Sequence, residues 1–555
     1  MTKYNLLDEK WLLVVTENGG EIEEISLKEL FTNAHHYKQL AGETPTQDFA
    51  ILRLLLAILH TVFTRFNAKG KAYEWVEVDA ATFEVKDEID EDDERDYKKD
   101  LYKAWKQLWE TGKFPAIINE YLEKYRYRFY LTDEKYPFFQ FPEIGEPDYP
   151  YNATDNGINK LNGKILEGDP KKPRLFMNQH LSTLEYSAAA RWLVYANGYS
   201  PSKSGNPGKK LKRDSTGVAY LWKLGGIYAS GKNLFETLML NLNLPENACA
   251  QKPLWEVEPQ INNFKDIPNN LAQLFTYPSR QLLLNYNEEN QIIGYRIDLA
   301  ISNFEYTPNL RIEPFTLWRY SKELEVKKWQ VKEGFVPKRH NPDKYFWQEM
   351  QTFAMINEAG KNYNPGIIMW LQRLQGDNLV TGLITLHAVA ENYIQKDGVV
   401  DQQISDQISE NIGLLDDKTN GWLPRIADEI NNTEKVIEVT IMRLAKDIDK
   451  IRNVTNGATT QQTKMQIFFL VDRYFRDWLI SVLPEDDKEI KIAQWRIILR
   501  NAILAQANIL LQGAGNRDYL GYYPDPNTKK IENIETAFNR FKRNLNKELE
   551  VKGNE

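Results

Sequence analysis

Cysteine is almost missing from this chain: Cys249 stands alone among 555 residues. That excludes an internal disulfide framework and every zinc site that needs two or more thiolates, and it fits a reducing, cytoplasmic compartment. Histidine is scarce too. His35, His36, His60, His180, His340 and His387 are scattered, with no H-E-x-x-H pair and no carboxylate cluster at ligand spacing, so no metal or other cofactor is expected. There is no G-x-S-x-G elbow around a serine, and Cys249 lies in NACAQKP without a helix start or fixed cation to activate it. Positive charge is not in excess either: 70 Lys plus Arg against 78 Asp plus Glu leave a net charge of -8. A polycation that coats nucleic acid through bulk charge is thereby excluded. Long apolar runs are also lacking. None reaches the roughly 18 residues of a membrane span, and MTKYNLLDEKWLLVV has no cationic start before an apolar stretch, so a soluble, unprocessed chain is expected.

What is present is enough length and apolar material, 42% of residues, for two to four domains with sizeable cores. Alternation over residues 11–15, a turn at Gly19 and Gly20, and a return over residues 21–25 predict a hairpin. Residues 49–63, FAILRLLLAILHTVF, predict a buried core helix in which His60 is a satisfied core residue. Ser182 with Glu185 predicts a capped helix through residue 194 that stops at Asn197 and Gly198. Residues 292–347 read as β-rich, including KYFWQEM, and residues 381–393 as the last strand. Beyond residue 404 four amphipathic stretches, near 418–452, 460–483, 487–512 and 531–549, predict an antiparallel bundle. The expected fold class is therefore α+β: a large mixed α/β domain over residues 1–403 and a four-helix bundle over residues 404–555.

One enzymatic pattern needs weighing. Gly226, Gly231 and Lys232 match the G-x-x-x-x-G-K phosphate loop, but Asn233 stands where Ser or Thr would hold magnesium. A nucleotide-binding enzyme using Lys232 stays an alternative to a plain turn before a helix. The stronger signal is local positive charge. A loop expected at about residues 152–174 carries Lys171 and Lys172 and is followed by Phe176 and Asn178; a second, about 199–216, carries Lys203, Gly205, Gly208, Lys209 and Lys210. Glycines allow close approach to a duplex and lysines neutralise phosphates, so these loops are candidate nucleic-acid contacts, with solvated surface loops as the plain alternative. A third cluster, Arg319, Lys322, Lys327, Lys328, Trp329, Lys332, Lys338 and Arg339, is expected on a strand pair, where an alternating solvent face is the favoured reading over a nucleic-acid contact.

Several strings carry a resemblance to a known family. YNLLDEKW at residues 4–11, RFYLTDEKYPFFQ at 128–140, AAARWLV at 188–194, NLFETLMLNL at 233–242 and PLWE at 253–256 resemble the CasA family, the large subunit of the type I-E CRISPR Cascade surveillance complex. The resemblance implies a protein without catalytic activity of its own. It implies as partners the other Cascade subunits, the 5′ handle of the guide RNA, double-stranded target DNA read at a protospacer-adjacent motif, and a helicase-nuclease docked after R-loop formation. It places Phe176 in the loop near the RNA handle, Gly205 in the glycine loop that enters the minor groove, and Gln375, Asp377 and Asn378 on the turn that separates strands. For that turn an ordinary Gly-Asp hairpin is the equal alternative. The family's motif-contacting lysine has no matched position between residues 301 and 318, and with Cys249 alone this chain cannot build the metal site of cysteine-bearing members. A purely structural scaffold remains the third reading.

Overall fold

The structure, a computed structural model, describes residues 3–549 apart from residues 18–19, 88, 150–152, 163–181, 200–218, 245–249, 260–267, 300–311, 321–334, 354–361, 364, 395–398, 417–420 and 525–529. The chain divides into two compact units. The first comprises Met1–Pro342, Asn357–Trp370 and Thr385–Gln407, and the second Asp343–Ile356, Leu371–Ile384 and Ile408–Glu555.

Among the described residues the first unit is built on four small sheets. β1 (Leu12–Thr16) pairs antiparallel with β2 (Ile22–Ile25), the expected hairpin, and on its other side with β3 (Tyr37–Leu40). β4 (Thr154–Gly157), β6 (Arg280–Tyr286) and β7 (Ile292–Leu299) lie in the order β4-β7-β6, and β5 (Gly226–Ser230) is the outer strand of a sheet ordered β12-β11-β5, with β11 at Leu383–Ile394 and β12 at Val399–Asn411. β8 (Leu317–Tyr320) runs between β9 (Phe335–Lys338) and β10 (Asn362–Tyr363).

The core is organised around the helix Pro45–Phe63. Thr44 accepts from the Gln47 N–H, Pro45 sits at the first helical position, and the polar interruptions are too few to create a solvent face. The helix is long and apolar enough to cross a membrane, yet 94% of its apolar window is buried within the fold. Its one arginine is held by charge: Arg53 Nη1 and Nη2 each donate to Glu313 at 2.7 Å, Tyr220 Oη donates to Glu313 at 2.7 Å, and the Phe275 ring lies 4.5 Å from the guanidinium. His60 differs from expectation. It is buried, but its Nε2 has no hydrogen-bond partner among the described residues, and burial pushes its pKa down to about 3 so that it stays neutral.

The helix expected to end at Asn197 and Gly198 runs on as Tyr186–Tyr199. Gly198 serves close packing instead of a left-handed stop, since a Cβ there would meet Leu221 Cδ1 at 2.4 Å. The Ser182 capping box does not form, because Leu184 bridges to Ile292 as extended chain and helix begins two residues later. The loop expected from about residue 152 begins instead as β4, whose backbone pairs with β7 and whose Asp155 accepts from Arg296 at 2.9 Å. The KYFWQEM segment contains the short helix Phe346–Glu349, and β11 is followed by another strand.

The second unit carries the expected helices. One continuous helix passes from Trp422–Ile437 through a π turn, Glu438–Met442, to Arg443–Ile451; Ala458–Ile480, Lys488–Gln512 and Ile534–Glu548 follow. The helical texture starts at Trp422, because β12 continues through residue 404 where a boundary was expected. Gly457, at φ +65°, makes the turn into the second helix and has no side chain to cap it. Asp449 takes over that task from the preceding helix, accepting the N–H groups of Thr459 and Thr460 at 3.0 and 2.9 Å. Phe475, Trp478 and Trp495 meet with centroids 5.1 to 5.5 Å apart, and Trp495 Nε1 donates to Thr433 at 2.9 Å.

Candidate nucleic-acid interface

Of the residues singled out in the sequence, Lys171, Lys172, Phe176, Asn178, Lys203, Gly205, Gly208, Lys209 and Lys210 lie outside the described residues, as does Cys249. Gln375, Asp377 and Asn378 are described. They close the helix Gly366–Gly376, so the hairpin reading of this turn is corrected. Apolar residues at Ile367, Ile368, Leu371 and Leu374 recur at helical spacing and are fully buried, a pattern that identifies the helix. The helix stops in a Schellman arrangement: the Leu379 N–H donates to the Leu374 carbonyl at 2.9 Å and the Asn378 N–H to the Gln375 carbonyl at 2.9 Å. Asn378 occupies the left-handed position at φ +53°, which Asn tolerates better than other non-glycine residues.

That cap fixes what the turn presents. Gly376, Asp377 and Asn378 are exposed, Gln375 is half-buried, and a Cβ on Gly376 would meet nothing within 4 Å. The result is a blunt, hydrogen-bonded helix end with polar side chains outermost. Behind it Val380 is buried, and the Gly382 carbonyl accepts from the Ile412 N–H at 2.9 Å. A tip of this kind keeps its shape under load because its backbone groups are already paired within the chain.

The phosphate-loop alternative does not survive the geometry. Gly226 through Ser230, which would have to wrap a phosphate, form β5 and pair residue by residue with β11, Gly226 opposite Val389 and Ser230 opposite Thr385. The backbone donors that remain are engaged by the helix Leu234–Asn241: Gly231 N–H by Thr237 Oγ1 at 3.2 Å and Lys232 N–H by Glu236 Oε2 at 2.9 Å. Asn233 caps that helix.

Beside this turn Ser230 Oγ lies 2.8 Å from His387 Nε2, and Tyr228 stacks on the imidazole at 4.6 Å. Burial holds His387 down at about 4, so it is neutral at pH 7 and can accept the serine proton. The nearest following N–H groups, those of Gly231 and Lys232, already have carboxylate and hydroxyl partners, so they offer no oxyanion site to this pair. Among the described residues no group of three or more His, Cys, Asp or Glu could hold a metal ion.

Comparison with known proteins gives a consistent result. The model of the family described as CRISPR-associated protein Cse1 matches residues 5–506. The CRISPR-associated protein CasA/Cse1 of Thermus thermophilus is 22% identical over 542 residues, covering 91% of each chain. The crystal structure of Thermobifida fusca Cse1 superposes with a TM-score of 0.79 at 25% identity, covering 99% of this chain and 98% of that one. A chain of a structure described as a CRISPR RNA-guided surveillance complex shares the fold, with a TM-score of 0.66 at 16% identity over 98% of this chain and 99% of its own.

Proposed function

The chain belongs to the CRISPR-associated Cse1 family, and from that premise we propose that it is the non-catalytic large subunit of a cytoplasmic, type I-E Cascade surveillance complex. In this role it recognises the protospacer-adjacent motif in double-stranded target DNA, assists duplex opening and R-loop formation, contacts the 5′ handle of the guide RNA and docks the helicase-nuclease. The observation that carries the reading is the family match over residues 5–506.

The turn at Gln375, Asp377 and Asn378 supports the strand-separating part. It is exposed, polar and rigidly capped, as a wedge pressed against a base pair must be. Lys171, Lys172, Phe176 and Asn178, together with Lys203, Gly205, Gly208, Lys209 and Lys210, are the proposed contacts to RNA and duplex. Division of labour follows the logic of RNA-guided systems, in which protein reads a short motif and guide pairing reads the rest. Degenerate minor-groove readout suits a subunit that tolerates related motifs.

The test uses the complex assembled with guide RNA, with and without this chain, on duplexes that carry or lack the motif. The reading expects tight, motif-dependent binding only when the chain is present. Equal affinity and equal motif preference without it would leave the chain a scaffold.

A further inference from the structure

We infer that the β8–β9 hairpin carries a phosphodiester-binding surface, made by Arg319 and Lys338 on one face of the strand pair and Arg339 just past its end, which grips nucleic acid without reading its sequence. The inference rests on the proposed nucleic-acid role and adds a surface to it that lies outside the two basic loops and the helix-end turn.

The register places the charges. Leu317 pairs with Lys338 and Arg319 with Val336, so all four side chains belong to one face of the hairpin. Arg319 and Lys338 are then diagonal cross-strand neighbours, about 7–8 Å apart at the backbone. Leu317 and Val336 are buried, while Arg319 is exposed and Lys338 half-buried. The aliphatic stems thus have apolar neighbours and the charged heads can reach water. Arg339 follows directly and is exposed, with its guanidinium 5.4 Å from the centre of the Trp222 ring. An aromatic partner holds the planar fork in place and leaves its N–H donors free for an anion.

The platform is fixed from behind. The Lys338 carbonyl approaches Gly225 so closely that a Cβ there would meet it at 2.6 Å. His340, buried just beyond Arg339, has its Nε2 3.1 Å from the Gly226 carbonyl. Two close backbone contacts therefore hold residues 338–340 to the turn before β5 and limit the entropy lost on binding.

What marks these cations is the absence of acid beside them. Several basic residues of the first unit are paired, Lys28 with Asp8 and Glu123, Lys86 with Glu77 and Arg296 with Asp155, while others, such as Lys38, Lys69 and Lys71, are exposed singly. Among the described residues none of Arg319, Lys338 and Arg339 has a carboxylate within 4.0 Å. In a chain with eight more acids than bases, what sets Arg319, Lys338 and Arg339 apart is that they stand together on one fixed strand pair with no carboxylate partner among the described residues. Phosphodiesters fit the chemistry: fork-shaped guanidinium donors and an ammonium suit single negative charges and carry no base-reading pattern.

The assembled complex bearing Arg319→Ala, Lys338→Ala and Arg339→Ala tests the inference, by titration of motif-bearing and motif-free duplex over a range of salt and by retention of guide RNA. Affinity for both duplexes should fall by a similar factor, on the order of tenfold or more at low salt, with motif preference intact. The slope of log affinity against log salt should shrink by about 2 to 3 for three lost phosphate contacts. Arg319→Lys with Arg339→Lys should keep most of the slope. An unchanged duplex slope with reduced RNA retention would assign the same phosphodiester chemistry to the guide. Unchanged slope, affinity and retention would overturn the inference while the proposed function stood. Loss of the chain from the complex would give the cations to a protein neighbour and overturn it equally. A wild-type complex that reads the motif equally well without this chain would instead remove the function on which the inference rests.

Discussion

A buried carboxyl without a partner behaves as a pH-sensitive defect, and Glu410 is one. Both its oxygens are buried with no hydrogen-bond partner among the described residues, and burial raises its pKa from 4.5 to about 8. The folded chain therefore holds a proton that the unfolded chain releases above the ordinary carboxylate range. Stability is full below pH 4.5 and falls as the pH rises toward 8, by a few kcal/mol at most. Urea unfolding at pH 5 and pH 8 should show that loss in the wild type and a smaller one in Glu410→Gln; an equal slope in both would refute the assignment. Arg53 and Glu313 make the opposite case, a buried charge fully matched by two 2.7 Å bonds. Glu313→Leu, which strands the arginine, should cost about 3–5 kcal/mol, and adding Arg53→Met should recover most of it. Tm values of the single and double variants decide: a milder single variant or an unrecovered double one would contradict the pairing.

At the scale of elements, what the sequence made legible follows from periodicity. The hairpin of β1 and β2, the helix Pro45–Phe63 and the four long helical stretches between Trp422 and Glu548 repeat apolar residues at regular spacing, and all were expected from that spacing. β12 was missed because VVDQQISDQISEN reads as polar chain, its pairing resting on the backbone. β4 was taken for loop for the same reason. The helix end at Asn378 was read as a possible hairpin although Ile367, Ile368, Leu371 and Leu374 had the helical spacing to identify it. That cap makes a prediction of its own. Asn378→Gly should be tolerated within about 0.5 kcal/mol, whereas Asn378→Val, β-branched in the left-handed region, should cost about 1–2 kcal/mol. If the turn is the wedge, the valine variant should also slow duplex opening by the assembled complex. Equal melting temperatures and equal opening rates for the two variants would argue against a role for the cap.

At the scale of the whole molecule, an acidic chain is read as a nucleic-acid-binding subunit because local charge, not net charge, decides contact. The net charge of -8 excludes an indiscriminate coat, yet Arg319, Lys338 and Arg339 stand together on a fixed hairpin with no carboxylate partner among the described residues. The family was legible in strings such as RFYLTDEKYPFFQ, in which Gln140 bridges segments through Leu131 and Leu284 and the positive φ of Phe139 sets the turn. Those residues support the fold rather than the chemistry, which is why they identify the family while leaving its contacts to be tested. The most direct measurement is permanganate reactivity of unpaired thymines beside the motif, in target duplex bound by the complete complex and by the complex lacking this chain. The account predicts motif-dependent reactivity only with the chain present. Equal reactivity without it, at matched occupancy of the duplex, would contradict the claim that this subunit opens the DNA.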